Sequence, residues 1–311
     1  QGAVAGRARQ FLHQGLCCVP GALEAQQALA AHDAVIEYFE SVQHTLAQLD
    51  LLDDLRDEGF TTFKMRQPGR FDMVVPALAA ILKKGPLKKG PAAEKKPPCK
   101  KAKAASGGGG EQESGAQPAD ASAPRESTLP DGGDGDAGDG GGGGDGAFGF
   151  LGAGAWVEVV RMILGPGAEL VHAGCILSLP GSTAQNWHSD GDHLDEAAHL
   201  PPHALNVFLP LVDMDLSVGP TEFSPSTHLQ WGSRPGNVAL TASAGTAILF
   251  DYRLRHRGLA NKSSTARPLL YLTYARPFFR DEANFSAKRY RDLPPLVPYR
   301  KRKSKDEAEA T

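Results

Sequence analysis

The sequence predicts a mainly β fold with flanking helices, built as an antiparallel sandwich or barrel. From residue 155 onward, short apolar runs are separated by turns rich in Gly and Pro, and no helical segments alternate with them. The N-terminal part instead carries apolar side chains at helical spacing. Hydrophobic residues make up 41% of the 311 positions, which is enough to form a core.

The N-terminal part is predicted to be helical before the chain enters the sheet. Residues 8–22 predict a short helix, a stop at a glycine and then a β-like run. Residues 23–58 predict a helix packed on the outside of the sheet, because their apolar residues recur at helical spacing. Residues 59–74 include a further β-like run, and the cations near it are Lys64, Arg66 and Arg70.

Residues 83–150 differ in composition from the rest of the chain. Lysine pairs broken by Pro and Gly come first, and a tract rich in Asp and Gly follows. Such segments cannot bury enough apolar area to offset the entropy lost on ordering them, so we expect a disordered low-complexity insertion. The chain then divides into an N-terminal part of the domain (1–82), the insertion (83–150), a β core (151–285) and a basic C-terminal tail (286–311).

The β core is predicted from a close succession of strand-like runs. Each run is short, is rich in β-branched or aromatic residues, and ends at a Gly or Pro turn. One further strand is expected to end at 188–190. The other runs are 156–164, 169–179, 203–212, 219–224, 237–241, 246–252 and 267–276.

A candidate metal site lies around His188 and Asp190. Residues two apart on an extended strand point to the same side, so this imidazole and this carboxylate converge on one point. A second histidine, His256, comes later in the chain, and Arg267 follows it after eleven residues. Two histidines and one carboxylate on one face of a metal leave the opposite positions open, as in non-haem Fe(II) oxygenases.

A finer pattern extends over four segments, which are residues 185–191, 204–213, 219–228 and 256–268. In this order they resemble the phytanoyl-CoA dioxygenase (PhyH) family of Fe(II)/2-oxoglutarate-dependent dioxygenases. The resemblance covers about residues 155–280. It implies a double-stranded β-helix, which is a cupin-like jelly roll, with the metal site at its open mouth.

The resemblance also implies a ligand set and a reaction. His188, Asp190 and His256 are expected to bind Fe(II), and no catalytic residue is expected beyond these ligands. The implied cosubstrate is 2-oxoglutarate, whose far carboxylate Arg267 can hold through two parallel hydrogen bonds. The implied reaction hydroxylates a small-molecule or lipid-like substrate and releases succinate and CO₂. Relatives that halogenate lack the carboxylate ligand, so the presence of Asp190 favours hydroxylation.

Other residues receive less specific assignments. Asn206 and Phe208 share a strand face and are expected to line the cosubstrate pocket, with ordinary core packing an equal alternative for Phe208. Thr221 is a further pocket candidate. Arg253 and Arg257 are expected to form a surface pair.

The three cations near the early β-like run have two interpretations. We favour a solvated strand edge. In the family, however, cationic residues upstream of the metal ligands can face the cosubstrate or the substrate, and Arg70 with Asp72 is the pair to test first.

Several residues compete with the proposed ligands. Asp192 also lies two residues from Asp190, but Gly191 interrupts the strand geometry between them. His228 is the rival of His256, which we favour because Arg267 follows His256 at the family's interval. A second metal site is the alternative to a polar loop for a group of nearby histidines, which are His193, His199 and His203.

Composition narrows the choice of partners. A net charge of −3 gives no general attraction to nucleic acid or membranes, and no apolar run approaches the length of a bilayer span. Four cysteines without a CxxC pair fit a reducing compartment. We expect a cytoplasmic monomer that uses a small-molecule substrate and O₂, with ascorbate helpful in vitro. Basic runs leave a nuclear location open, and the start at Gln1 leaves open a preceding targeting segment.

Two other functional classes remain as alternatives. One is a β-helix binding module that has lost turnover. The other is a nucleic-acid-associated protein that acts through the Lys-rich insertion, for which strongly salt-dependent binding is expected.

Overall fold

The structure is a computed structural model, and five stretches of the chain are described. All described residues belong to one compact unit. The predicted insertion lies outside them, and its disorder stays a prediction. The described stretches are residues 2–57, 59–77, 154–231, 236–281 and 292–297.

Four helices are described in full, and local signals explain where they begin and end. The first ends where Gly15 adopts a φ of +84°, a conformation that favours glycine. The second begins with a capping box between Glu24 and Gln27. No helix among the described residues is long and apolar enough to cross a membrane. The helices are α1 (Gly2–Gln14), α2 (Ala25–Gln48), α3 (Asp54–Asp57) and α4 (Val157–Leu164).

Ten strands of the described stretches form two antiparallel sheets. The first five strands are β1 (Leu16–Val19), β2 (Phe63–Gln67), β3 (Arg70–Met73), β4 (Glu169–Ser178) and β5 (Ala204–Pro210). The others are β6 (Thr221–Phe223), β7 (Val238–Ala239), β8 (Ala247–Asp251), β9 (His256–Gly258) and β10 (Arg267–Ala275). The large sheet has the order β1-β8-β5-β10-β4-β3-β2, and the small sheet has the order β7-β6-β9.

The main core lies between the helices and one face of the large sheet. Helix α2 contributes Val35, Val42 and Leu46, whose side chains are completely buried. They belong to one apolar cluster with Phe63 of β2 and Leu272 of β10. The prediction that this helix packs on the outside of the sheet therefore agrees with the structure, and the opposite face of the sheet is left for a pocket.

Residues 156–164 correct one prediction, because they form the helix α4 and not a strand. The run contains three valines and an isoleucine, which favour strands when judged by propensity alone. Burial shows the helical period instead: Glu158 and Met162, four residues apart, are exposed, whereas Val159, Val160 and Ile163 are buried. Tertiary packing of this apolar face overrides the local preference for a strand.

The segment before the candidate metal ligands also differs from its prediction. Residues 182–187 form no strand, and His188 joins the small sheet only through an isolated antiparallel bridge to His256. Its amide donates to the carbonyl of His256 at 3.0 Å, and the amide of His256 donates back at 2.8 Å. Two hydrogen bonds thus place the two histidines side by side without a regular strand.

The central strand β10 sets the inner face of the large sheet. It pairs with β4 on one side and β5 on the other. Alternate residues share a face, so Arg267, Tyr271 and Thr273 point to the same side. Through Ser178 of β4, Arg267 is in register with Arg70 of β3. The predicted fold class, a mainly antiparallel jelly roll, is confirmed.

Candidate metal centre

Three predicted ligands converge in the structure. His188, Asp190 and His256 present ligand atoms that all lie within 4.8 Å of one another. The Nε2 atom of His188 is 4.0 Å from Oδ1 of Asp190, and the Nε2 atom of His256 is 3.7 Å from Oδ2. Two imidazoles and one carboxylate on one side suit a non-haem Fe(II) ion. The donor set that the sequence predicts is therefore assembled by the fold.

Both histidines are oriented by backbone carbonyl groups. The Nδ1 atom of His188 lies 2.9 Å from the carbonyl oxygen of Asn186, and that of His256 lies 3.0 Å from the carbonyl oxygen of Leu254. A carbonyl only accepts, so each Nδ1 must carry the proton and donate it. In the neutral imidazole, Nε2 is then the nitrogen with the free lone pair, and it is directed at the carboxylate, as a metal ligand requires.

A short chain of hydrogen bonds holds the carboxylate ligand. The Nδ2 atom of Asn206 donates to Oδ2 of Asp190 at 2.6 Å, and Oγ1 of Thr273 donates to Oδ1 of Asn206 at 2.6 Å. The two supporting residues face each other across the β5–β10 pair. Asn206 lines the same cavity as Asp190, and in addition it fixes one oxygen of the carboxylate; its predicted contact with the cosubstrate stays a prediction. No sequence pattern pointed to the role of Thr273.

Aromatic rings close the far side of His256. Its ring centroid lies 4.8 Å from that of Phe250 and 6.4 Å from that of Phe208. Its side chain is almost fully buried, and this burial lowers its pKa, although Asp190 acts in the opposite direction. Burial therefore favours the neutral imidazole, which is the form that binds a metal. Phe208 both lines the pocket and packs against its neighbours.

Two arginines form the other end of the same pocket. Arg267 is 1% exposed; its Nη2 atom donates to Oγ of Ser178 at 2.7 Å, and its Nη1 atom donates to the carbonyl oxygen of Gly219. Arg70 is completely buried, and its Nη2 atom donates to the carbonyl oxygens of Thr183 and Leu259 at 2.9 and 3.0 Å. Arg70 is therefore no solvated strand edge, and the favoured interpretation of this cation is wrong.

The guanidinium groups retain unused donors inside the protein. Within the described residues, Nε of Arg267 and both Nε and Nη1 of Arg70 have no hydrogen-bond partner. Burial lowers the pKa of Arg267 to about 9, with the charge of Arg70 as the second cause, and burial lowers the pKa of Arg70 to about 10. Buried cations with unused donors are costly. A carboxylate bound between the two arginines would neutralise the buried positive charge and accept hydrogen bonds from the unused donors. This end therefore fits the far carboxylate of a dicarboxylate.

One cavity joins the metal end to the arginine end. Its volume is about 380 Å³, and both sheets contribute to its wall. The small sheet supplies Thr221, the weaker of the predicted pocket residues, together with His256 and Gly258. A side chain at Gly258 would collide with Arg70 and Gln185, since a Cβ atom there would lie 2.6 and 2.7 Å from them. The absence of a side chain at this position makes room for the Arg70 guanidinium.

The rival ligands lie elsewhere in the structure. The ring of His228 is buried, and its Nε2 atom is 3.1 Å from the carbonyl oxygen of Leu12 in helix α1. Neither His228 nor Asp192 joins the metal cluster, and that cluster is the only such group in the described part of the chain. The structure therefore supports His256 and Asp190 over these rivals.

The three loop histidines also fail to form a metal site in the described ranges. The ring centroids of His193 and His199 are 5.8 Å apart, and His203 packs on Phe279 at 4.5 Å. Burial, as the largest cause, lowers the pKa of all three, and the nearby Arg253 lowers it further. These residues surround a buried cation and do not collect around a second metal.

Arg253 corrects a further prediction. The sequence predicts it at the surface with Arg257, yet it is 4% exposed and forms a buried ion pair with Asp251, in which Nη2 lies 2.8 Å from Oδ2. Arg257 instead pairs with Glu222 and lies over the ring of Trp187. The spacing of the two arginines in sequence did not reveal that they lie in different environments.

Comparison with known proteins agrees with this geometry. Residues 149–269 match the family described as phytanoyl-CoA dioxygenase (PhyH). The match covers 121 of the 311 residues, which is about two fifths of the chain. The matched range contains all three candidate ligands and Arg267. This PhyH match agrees with the resemblance of the four sequence segments, with the predicted enzyme class and with iron and 2-oxoglutarate as cofactors.

Similar proteins of known description include both a curated relative and solved structures. Dioxygenase af480 of Aspergillus fumigatus is 27% identical over 145 residues, which are 44% of this chain and 47% of the relative. The chain thus spans about half the length of that relative. The epimerase SnoN from nogalamycin biosynthesis, described as non-haem and α-ketoglutarate dependent, is 14% identical, with a TM-score of 0.50 over 96% of this chain and 91% of SnoN.

A second solved structure is AviO1 from Streptomyces viridochromogenes Tue57. It is 14% identical, with a TM-score of 0.51 over 89% of this chain and 96% of AviO1. At these identities, the likeness to SnoN and AviO1 establishes a shared fold.

Proposed function

We propose that this protein is an Fe(II)- and 2-oxoglutarate-dependent dioxygenase that hydroxylates a small-molecule or lipid-like substrate. One observation carries the proposal: a single cavity has a three-ligand metal cluster at one end and two buried arginines with unused donors at the other. A bidentate 2-oxo acid with a second carboxylate needs both ends at once. A metal site alone, or an arginine pair alone, does not call for this cosubstrate.

The ligands have separate tasks in this proposal. His188, Asp190 and His256 would hold Fe(II), and all three side chains line the cavity. Bound iron and 2-oxoglutarate supply the oxidation, in which O₂ provides one oxygen to the substrate and one to succinate, with loss of CO₂. Asn206 keeps one carboxylate oxygen of Asp190 in a fixed direction, which limits how the metal site can rearrange.

The arginines orient the cosubstrate and exclude water from its far carboxylate. Arg267 is fixed by Ser178 and Gly219, so little side-chain entropy is lost when it binds an anion. Arg70 is held by two carbonyl oxygens from separate loops. Because both groups are buried, their hydrogen bonds to a carboxylate are strengthened by the low polarity of the surroundings.

The test follows the cosubstrate and the product separately. The anaerobic protein is loaded with Fe(II) and titrated with 2-oxoglutarate, and the metal-to-keto-acid charge-transfer band is recorded. Oxygen and a panel of small acids, amides and lipids are then added, and mass spectrometry detects succinate and a product gaining one oxygen. We expect the band with the intact protein and succinate after oxygen is added.

Matched variants make the result specific. His256→Ala should lose both the band and the succinate, and Arg9→Gln, an exposed residue of helix α1, should keep both. An intact protein that binds Fe(II) but gives no band at any 2-oxoglutarate concentration contradicts the proposal.

A further inference from the structure

The segment that carries His188 is attached to β9, the last strand of the small sheet. Residues 182–187 form no strand, and His188 meets β9 through its bridge to His256. Earlier in the segment, the amide of Gln185 donates to the carbonyl oxygen of Gly258 at 2.8 Å, and the amide of Gly258 donates to Oε1 of Gln185 at 2.9 Å. The position of His188 therefore depends on how firmly this segment is held against β9.

The two histidine ligands differ in how strongly packing restrains them. The side chain of His256 is 4% exposed, and its ring centroid lies 4.8 Å from that of Phe250. The side chain of His188 is 38% exposed, and its ring centroid lies 4.4 Å from that of His256. Packing in the interior thus restrains His256 on more sides than His188. Support from outside the cavity has its largest value at His188.

Three side chains form a row across the outer face of the small sheet, and we call them the outer row. Glu222 of β6 is in register with Arg257 of β9, and Nε of Arg257 donates to Oε2 of Glu222 at 2.7 Å. The guanidinium carbon of Arg257 lies 4.8 Å from the centre of the Trp187 ring. Trp187 directly precedes His188, and Arg257 directly follows His256. Because neighbouring residues of a strand point to opposite faces, Arg257 lies on the far side of β9 from His256.

The contacts within the outer row fix orientation as well as distance. The Glu222 and Arg257 side chains are 17% and 32% exposed, so their ion pair is partly shielded from water. A charge-assisted hydrogen bond to Nε restrains the plane of the guanidinium. An arginine over an indole ring is the most favourable form of cation–π contact in proteins. Glu222 therefore restrains Arg257, and Arg257 in turn restrains Trp187.

We infer that Glu222, Arg257 and Trp187 are positioning residues for the metal ligand His188. They act through the backbone, because the stacked indole belongs to the residue directly before the ligand. The row also joins β6, β9 and the ligand segment, so the two histidines are held at a constant separation. The inference rests on the metal end of the proposed function, since a positioning role requires that His188 binds the metal.

The test measures metal binding in the full chain and does not depend on turnover. Co(II) is the probe, its affinity is measured by competition with a chelator, and its visible ligand-field spectrum reports the geometry of the ligands. Arg257→Gln should weaken Co(II) binding by about three- to tenfold, which is less than the roughly 10–100-fold typical of residues that contact a ligand directly. Its spectrum should also change, and Arg257→Lys should recover part of the affinity, because the charge is kept.

A neighbouring arginine supplies the matched control. Arg255 is exposed and directly precedes His256, so Arg255→Gln removes the same charge beside the same ligand. This variant should keep the affinity and the spectrum of the unaltered protein. Equal losses in Arg255→Gln and Arg257→Gln overturn the inference, because a general effect of charge then explains both.

A double variant tests whether the row acts as a unit. Trp187→Leu should weaken Co(II) binding about as much as Arg257→Gln, and the double variant should be no weaker than the weaker single variant, because both changes break one stack. Additive losses overturn the inference. Melting temperatures are recorded for all variants, and a variant that loses stability with unchanged Co(II) affinity and spectrum shows a purely structural row, which also overturns it.

The unaltered protein separates this inference from the proposed function. If it binds Co(II) and gives the charge-transfer band with Fe(II) and 2-oxoglutarate, an unchanged Arg257→Gln variant defeats the positioning inference alone. If the unaltered protein binds neither Co(II) nor Fe(II), the proposed function fails, and the inference fails with it.

Discussion

The two ends of the cavity differ in their contact with water. At the metal end, the side chains of His188 and Asp190 are 38% and 25% exposed. At the arginine end, Arg70 is 0% exposed and Arg267 is 1% exposed. An accessible end suits a site where substrate and oxygen must enter, whereas a closed end suits a cation that recognises one carboxylate strongly. One end of the cavity is thus suited to the entry of substrate and oxygen, and the other end is suited to recognition of a carboxylate.

The largest effect should follow the loss of a metal ligand. His256→Ala, Asp190→Ala and His188→Ala should each abolish iron-dependent turnover, because two remaining ligands hold the ion poorly. The loss should exceed the roughly 10–100-fold typical of residues that only support a ligand. Fe(II) affinity is measured anaerobically by competition with a chelator.

The rival histidine supplies the control. His228→Ala removes a buried side chain beside helix α1 and should lower the melting temperature while iron binding persists. If His228→Ala loses iron and His256→Ala keeps it, the metal end has been assigned to the wrong histidine.

The second largest effect should follow the loss of Arg267 from the buried arginine end of the cavity. Arg267→Ala should weaken 2-oxoglutarate by at least about tenfold, since each ~1.4 kcal/mol corresponds to a factor of ten. Iron affinity should survive, because Arg267 lies outside the metal cluster. Arg267→Lys should recover part of the loss, because the ammonium keeps the charge without the two-pronged geometry. An unchanged midpoint of the charge-transfer titration in Arg267→Ala would remove the cosubstrate assignment.

A smaller effect is expected from the residue that supports the carboxylate. Asn206→Ala should lower metal affinity by about tenfold, at the lower end of the usual range for such residues. The 2-oxoglutarate affinity of the fully iron-loaded protein should change less. Thr273→Val, which removes only the donor to Asn206, should have the same direction and a smaller size. If Asn206→Ala lost 2-oxoglutarate affinity but kept iron affinity, Asn206 would not act by supporting the metal end.

The smallest effect is expected from removing the predicted insertion. Replacing residues 90–145 by a short flexible linker should leave iron affinity, 2-oxoglutarate affinity and melting temperature nearly unchanged. The reason is its composition, which offers few apolar side chains to a core. Thermal unfolding and the charge-transfer titration check this, and a large fall in melting temperature would show that the segment is needed for folding.

The metal end could be predicted from the sequence because its chemistry restricts residue types and intervals. His188 and Asp190 lie two residues apart, and His256 is followed by Arg267 at an interval that the family shares. Residue types and intervals of this kind can be recognised in the sequence without knowledge of the fold. The predictions therefore named these four residues, and the fold brings the three candidate ligands together.

The errors concern residues whose environment depends on distant neighbours. The sequence did not show that Arg70 is buried, because its partners Thr183 and Leu259 lie more than a hundred positions away. Nor did it show that Arg253 is covered by the loop ending at Leu200, whose carbonyl accepts a hydrogen bond from it. Helix α4 was missed because nine residues of mixed β-branched and apolar type fit two periodicities. In each case the environment or the secondary structure is determined by burial in the folded protein and not by local propensity.

The strand β10 connects the two ends in a way that constrains the cosubstrate itself. Arg267 begins this strand, and Thr273, on the same face, holds the residue that orients Asp190. Backbone geometry therefore fixes the separation between cation and metal, at about 3.3 Å per residue. A diacid with one methylene more or fewer between its keto group and far carboxylate cannot meet both ends equally well. Selection by molecular length is thus a property of one strand, and a one-residue insertion in it would turn every later side chain to the wrong face.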